Sequence, residues 1–290
     1  MIKNIFIPEQ FNGCFILSKR IIGLSFSKSF IQATKVLVSQ RSVTVEKLHT
    51  QPIENNNDKT YEERVELALQ ATIKEMGSYD ELRTSLPSSQ VIFKELTLPF
   101  TDSEKIAQII NFEIESFLPF PSQEGVIDFI VTKVDPATQH AMIMVAAVRK
   151  QTLLNHLALF KALNIDVDAV TVDVLDLYGL YQQAHAQSPE RTVILDGNYE
   201  QTRLMLIDKG QLLSVRSIPY GISSIAKALS TSRSIDIKQA MEELLRFGIE
   251  KNNDTAYNQA TRQALESYWN SISFTIQSWI TQNFPGEKLD

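Results

Sequence analysis

The residues through which this chain could do chemistry are its clustered aspartates, its histidines and its hydroxyl-rich turns. Asp166, Asp168, Asp173 and Asp176 fall in one short stretch. An oxygen-ligated metal needs several carboxylates converging on one point. Asp166 and Asp168 share one face of a predicted strand, and Asp173 and Asp176 straddle a strand-to-helix junction, so all four read as loop and cap residues. His49, His140, His156 and His185 are far apart in sequence and belong to no Ser/His/Asp arrangement. His156 lies within a predicted helix and reads as a surface or boundary residue. The sequence holds neither GxxxxGK[ST] nor GxGxxG. It nominates no catalytic residue and no metal ligand.

Two turns could hold phosphate through backbone amides. The first is Gly23-Leu24-Ser25-Phe26-Ser27-Lys28-Ser29, in which Gly23, Ser25, Ser27 and Lys28 supply close approach, hydroxyls and an ammonium. The second is Asp196-Gly197-Asn198-Tyr199. Alone, each reads as a hairpin; used jointly they would form a phosphate clamp.

The elements that must position these residues follow from periodicity. Residues 21–50 read as consecutive strands with a turn at 39–42, and Val65, Leu69, Ile73 and Met76 mark a helix over 61–76 that stops at Gly77. A strand at 91–100 leads into a helix from Ser103 that must end near Leu118, because Pro119 and Pro121 cannot continue it. Strands follow at 126–134 and 141–148, a helix at 150–163 and a strand at 165–174. The polar stretch 185–191 is the candidate domain boundary. Three strands over 191–219 and helices at 223–229, 237–247 and about 257–280 complete the chain. In the last helix Leu265, Trp269, Ile272, Ile276 and Trp279 or Ile280 form the predicted packing stripe.

Composition narrows the function classes. With 43% hydrophobic and 21% charged residues the 290-residue chain is a folded α/β protein. A net charge of -6 with scattered Lys and Arg gives no footprint for nucleic acid. One cysteine, Cys14, excludes an internal disulfide and fits a reducing compartment. No stretch is long and apolar enough to span a bilayer, so membrane association is expected to come through a partner.

The segment LPFTDSEKIAQIINFEIESFLPFPSQEGVIDFIV followed by AMIMVAAVRKQTLLNHLALFKALNIDVDAVTVDVLDLYGL resembles the PilM family of type IV pilus assembly and the cytoplasmic, actin-like region of the type II secretion platform protein. A second block, RTVILDG with IDKGQLLSVRSIPYG, resembles the opening of that fold's second half through Asp196, Gly210, Arg216, Pro219 and Gly221. The resemblance implies an α/β, actin-like (ribonuclease H-like) fold of two lobes. It places a first lobe over 1–187, with a small subdomain inserted at about 91–163, and a partial second lobe, truncated at its end, over 188–290.

The resemblance also implies nucleotide motifs and a partner groove. The first motif's acidic residue falls at Ser25, its glycine at Ser27 and its lysine at Gln32; the second keeps Asp196 and Gly197 but has Asn198 at a glycine position. Losing a magnesium-positioning carboxylate at Ser25 argues against Mg·ATP hydrolysis, so the expected cofactor is none. The sequence therefore reads as a non-catalytic scaffold, cytoplasmic and peripheral at the inner membrane. Its expected partner is the cytoplasmic peptide or domain of an inner-membrane assembly protein, with a secretion or pilus ATPase as a second one. The alternative is an ATP-binding actin-like protein or weak ATPase that switches partner binding. Phe117, Leu118, Pro119, Phe120 and Pro121 are the expected partner-binding residues, a stiff corner with Phe120 as its apolar anchor. Glu113 and Glu115 beside it could steer a basic tail, and the backbone edge of the 23–38 strand pair could accept an extended peptide.

Overall fold

In the computed structural model, residues 10–11, 14–15, 18–40, 42–54, 58–135, 137–185, 191–250 and 253–284 are described. In chain order the strands are β1 (Gln10–Phe11), β2 (Cys14–Phe15), β3 (Lys19–Phe26), β4 (Phe30–Val38), β5 (Val43–Pro52), β6 (Glu81–Leu86), β7 (Ile92–Leu98), β8 (Gly125–Asp135), β9 (His140–Arg149), β10 (Ala169–Val172), β11 (Thr192–Gly197), β12 (Thr202–Asp208) and β13 (Gln211–Ile218). The helices are α1 (Tyr61–Met76), α2 (Ser103–Glu115), α3 (Lys150–Lys161), α4 (Asp173–His185), α5 (Ile222–Arg233), α6 (Ile237–Phe247) and α7 (Thr255–Asn283). Their residues fall into two compact units. The first comprises Met1–Ile92, Asp102–Phe129 and Val145–Gln183, the second Phe93–Thr101, Ile130–Met144 and Ala184–Asp290. The inserted subdomain expected at about 91–163 is thus divided between them, as are the residues of the three-stranded sheet β7–β9–β8. Most of the 185–191 stretch expected as a boundary lies outside the described residues.

The first unit is organised by a five-stranded sheet in the order β10–β6–β3–β4–β5. Alternation along its strands sends Ile22, Leu24, Ile31, Ala33 and Leu82 into one core with Val65, Ala68 and Leu69 of α1 and Phe160 of α3. Helix α1 starts in a capping box, Thr60 with Glu63. Two lysines hold its other end. Buried Lys35 donates to the Met76 carbonyl at 2.9 Å, and Lys47 to the Glu75 carbonyl at 2.7 Å, placing cations at the negative end of the helix dipole.

Strand β6 was not legible in the sequence. It pairs in parallel with both β3 and β10, and its residues ELRTSL bury Leu82, Thr84, Ser85 and Leu86 while Arg83 is exposed. Its presence corrects one expectation. Strand β3 lies between β6 and β4, and β4 between β3 and β5, so the 23–38 pair has no open backbone edge. The outer strands are β5 and β10.

The second unit contains the antiparallel sheet β11–β12–β13, with Lys209 and Gly210 both at positive φ in the two-residue turn from β12 to β13. Leu204, Leu206 and Leu213 pack against Ile272 and Trp279 of α7. Trp269, expected in that stripe, is 53% exposed. Tyr268 packs against the cluster instead, because the buried row runs through Tyr257, Ala260, Ala264 and Ile272. Helices α5, α6 and α7 meet around Leu229, Ala240 and Tyr257, where Arg233 bridges Glu243 and Asp254. Strand β7 is tied into this unit by Glu95, whose carboxylate accepts both Arg216 guanidinium nitrogens at 2.9 and 3.1 Å and the Ser214 hydroxyl.

His156 packs edge-on to Phe26 and Phe160 at centroid distances of 5.2 and 5.6 Å, with Nε2 2.9 Å from the Thr84 hydroxyl. Burial lowers its pKa from 6.5 to about 4, so the folded state keeps it neutral where the unfolded chain would protonate it. Its contribution is complete above the unfolded pKa and is lost as pH falls towards the folded one. Urea denaturation is therefore expected to show roughly 1–2 kcal/mol less stability at about pH 5 than at about pH 7, a difference that shrinks in His156→Gln. For the Glu95 cluster, Glu95→Ala is expected to cost about 3 kcal/mol, because Arg216 and Ser214 lose a shielded acceptor, whereas Glu95→Leu with Arg216→Met costs less.

Candidate functional site

The corner at 117–125 follows from two prolines. Helix α2 ends at Glu115, and the chain turns through Phe117 and Leu118, whose amides bond back to the Ile114 and Glu115 carbonyls at 2.9 and 3.2 Å. Phe120 then folds under Arg149, whose guanidinium carbon stands 4.9 Å from the ring centre while Nη2 donates to the Pro119 carbonyl at 3.1 Å. Gly125 closes the pocket from the other side; a Cβ there would meet the Phe120 ring and the Ser122 carbonyl, each at 3.2 Å. Phe120 is only 8% exposed. This corrects its expected role as an anchor: its ring is spent on bracing the corner. Phe117 is 47% exposed, Pro119 and Pro121 are exposed and Leu118 is half-buried. Glu113 and Glu115 are exposed, and Glu115 accepts a hydrogen bond from Ser122.

The hairpin between β3 and β4 uses its own polar groups. The Ser27 hydroxyl donates to the Phe30 carbonyl and accepts from the amides of Ser29 and Phe30 at 3.3 and 3.0 Å. Amides that would face a phosphate are thereby turned onto Ser27, and Lys28 rides on the same turn. Gly23 and Ser25 instead line a recess of about 550 Å³ with Gln32, Thr34, Arg83, Ser85, Thr171 and Asp176 among its walls. A Cβ on Gly23 would approach nothing nearer than the Thr34 carbonyl at 4.0 Å, so glycine leaves the recess open without being sterically required. Arg83, Ser85 and Thr171 were missed in the sequence. The alternation within ELRTSL was the one available signal, and only the register Thr171↔Ser85 places them together.

The aspartate group has structural work. Asp168 accepts the Leu82 amide at 2.8 Å while its own amide donates to the Leu82 carbonyl, lacing β10 to β6. Asp173 accepts the Ser88 amide at 2.9 Å. Asp176 accepts the Thr171 hydroxyl at 2.8 Å, and burial pushes its carboxyl up from the usual range, with Asp173 adding to the shift. Among the described residues no three His, Cys, Asp or Glu side chains are placed to share a metal ion.

In the second unit Asp196, Gly197 and Gly221 gather around the 198–201 turn. Asp196 sits opposite Arg203 in the β11–β12 ladder and is ion-paired with it. Its charge is balanced, so a cation would have to displace the guanidinium. Asn198 is not at positive φ. Its side-chain carbonyl accepts the amides of Glu200 and Gln201 at 3.0 and 2.9 Å, an Asx turn. The first amides of α5, from Ile222 and Ser223, donate to the Asn198 and Tyr199 carbonyls at 3.1 and 2.9 Å. That helix N-terminus is satisfied by the chain itself. Within each turn, taken by itself, the groups that could meet a phosphate or a cation are already bonded inside the chain. Gly221 is required here: a Cβ would lie 2.5 and 2.6 Å from those same carbonyls.

The chain matches the family model described as type IV pilus assembly protein PilM over residues 23–281. A solved PilM–PilN type IV pilus biogenesis complex shares the fold with a TM-score of 0.76 at 18% identity, covering 91% of this chain and 79% of that one. The cytoplasmic domain of EpsL, an inner-membrane component of the type II secretion system of Vibrio cholerae, aligns with a TM-score of 0.46 at 14% identity over 81% of this chain and 79% of that one. MreB 5 of Spiroplasma citri bound to AMPPNP aligns with a TM-score of 0.48 at 11% identity over 92% of this chain and 80% of that one. No curated protein sequence matches the chain.

Gly221→Ala is expected to force the 198–201 turn away from α5 and to lower the urea midpoint by an amount equivalent to about 2 kcal/mol. Gly197→Ala, whose Cβ would meet only Thr202 and Tyr268 side-chain oxygens at 3.7 and 3.8 Å, is expected to cost far less.

Proposed function

The chain belongs to the PilM family of type IV pilus assembly proteins and has their actin-like α/β fold, and from that premise we propose that it is a non-catalytic cytoplasmic scaffold. It docks the cytoplasmic segment of an inner-membrane assembly protein and is held at that membrane through this partner. A secretion or pilus ATPase is its second partner. The observation that carries the reading is the corner after α2. Two exposed prolines fix the backbone, Arg149 and buried Phe120 brace it from beneath, and Phe117 presents an apolar ring at its entrance. Such a surface loses little conformational freedom on binding. Glu113 and Glu115 beside it suit a basic juxtamembrane tail. The solved relative in complex with PilN is consistent with this class of partner, and no helix among the described residues is long and apolar enough to cross a membrane. The spent turn amides and the Asp196–Arg203 pair favour this reading over a nucleotide-driven one.

The test is calorimetric titration of the chain with a synthetic peptide of the partner's cytoplasmic segment. Saturable binding is expected, with Phe117→Ala weakening it about tenfold and Phe117→Leu much less. A peptide that fails to bind, or binds equally to Phe117→Ala, would remove the corner from the mechanism. A parallel titration with ATP and magnesium is expected to give no saturable heat. Saturable binding lost in Asp196→Ala would instead establish the nucleotide-switched alternative.

A further inference from the structure

We infer that β5 is a self-pairing edge, which adds antiparallel to the β5 of a second copy of this chain across a two-fold axis between Glu46 and Lys47. Among the described residues no strand lies on the outer side of β5. Three of its side chains are large, apolar and open to solvent: Val43 at 61%, Val45 at 57% and Leu48 at 71%. Native edges are commonly blunted by short length, by proline or by charge directed outwards. Strand β5 runs for ten residues with proline only at its end. Its charged side chains are turned onto their own copy, Glu46 to Arg20 at 3.1 Å and Lys47 to Glu75 at 2.6 Å.

A bulge identifies the occupant. Val36 is opposite Val45 but Lys35 is opposite Lys47, so Glu46 is an extra residue in β5. Val43, Val45, Leu48 and Thr50 share the recess face with Val38, Val36, Thr34 and Gln32. Thr44, Lys47 and His49 lie on the face of α1, and Glu46 joins them by reaching Arg20, which stands opposite Leu37. The order of faces therefore reads the same in both directions from the 46–47 midpoint. A regular strand cannot do this, because residues equidistant from a peptide bond point to opposite faces. With the bulge on the axis, antiparallel pairing sets Val45 against Leu48 of the second copy and Val43 against its Thr50, each contact occurring twice. It also sets Glu46 against Lys47 of the second copy. The internal ion pairs then join into rows, Arg20, Glu46, Lys47 and Glu75, that alternate in sign across the axis. A foreign peptide could match the backbone alone. One strand per copy offers less than the ~1,200 Å² of a stable interface, so the pairing is weak in dilute solution and favoured where copies are concentrated on a shared assembly.

Sedimentation velocity of the full chain over about a hundredfold concentration range is expected to show reversible dimerisation. Leu48→Glu is expected to weaken the dimer about tenfold with an unchanged circular dichroism spectrum. Register is read by mild oxidation in a Cys14→Ser background. A mixture of Val45→Cys and Leu48→Cys chains is expected to form disulfide-linked dimers, and either variant alone far fewer. That readout stands even if Leu48→Glu folds poorly. A monomer at every concentration overturns the inference. So does a dimer indifferent to Leu48→Glu, or cross-linking as efficient within one cysteine variant as in the mixture.

Discussion

The segregation of the two faces of the five-stranded sheet is the constraint on which the first unit depends. Ile22, Leu24, Ile31, Ala33 and Leu82 all project to the side where α1 and α3 pack. A one-residue slip in any strand would exchange these for Gly23, Ser25, Gln32 and Arg83, and would bury polar groups without partners. Lys35 and Lys47 reinforce the register by reaching the last carbonyls of α1 from adjacent strand positions. The polar recess is the reverse side of the same alternation.

Around that frame the chain satisfies its polar groups internally, and this shapes what it can do. Asp168 and Asp173 hold backbone amides, Ser27 closes its own hairpin, Asn198 builds its own turn and Asp196 is balanced by Arg203. Groups committed in this way would have to be released before they could serve a ligand, at the cost of leaving their partners unsatisfied. The surface after α2 is different, since Phe117, Pro119 and Pro121 are exposed there with polar and charged groups alongside. It is suited to recognition by shape and burial rather than to bond-making chemistry.

The family resemblance and the fold agree because both rest on the order of elements. Most strands and helices could be read from periodicity within a residue or two, since each carries its own apolar face and its own stop signal. Gly77 ends α1, and α2 stops before Pro119. Strand β6 escaped because four of its six residues are polar and its pairing partners are remote in sequence. Trp269 was misplaced because Tyr268, one residue away, satisfies nearly the same helical spacing, and only the position of β12 and β13 chooses between them.

The sequence by itself determined most of the element types, the absence of nucleotide-binding signatures, the actin-like resemblance and the proline-stiffened corner, because these follow from local propensity and motif. Tertiary structure decided which side chains are available. Phe120 reads as an anchor until Arg149, remote in sequence, lies across its ring and donates to the Pro119 carbonyl. Gly221 reads as an ordinary helix start until the carbonyls of Asn198 and Tyr199 come within the radius of a missing Cβ. Availability depends on what packs against a residue, and contacts between distant segments are not written in the spacing of either one.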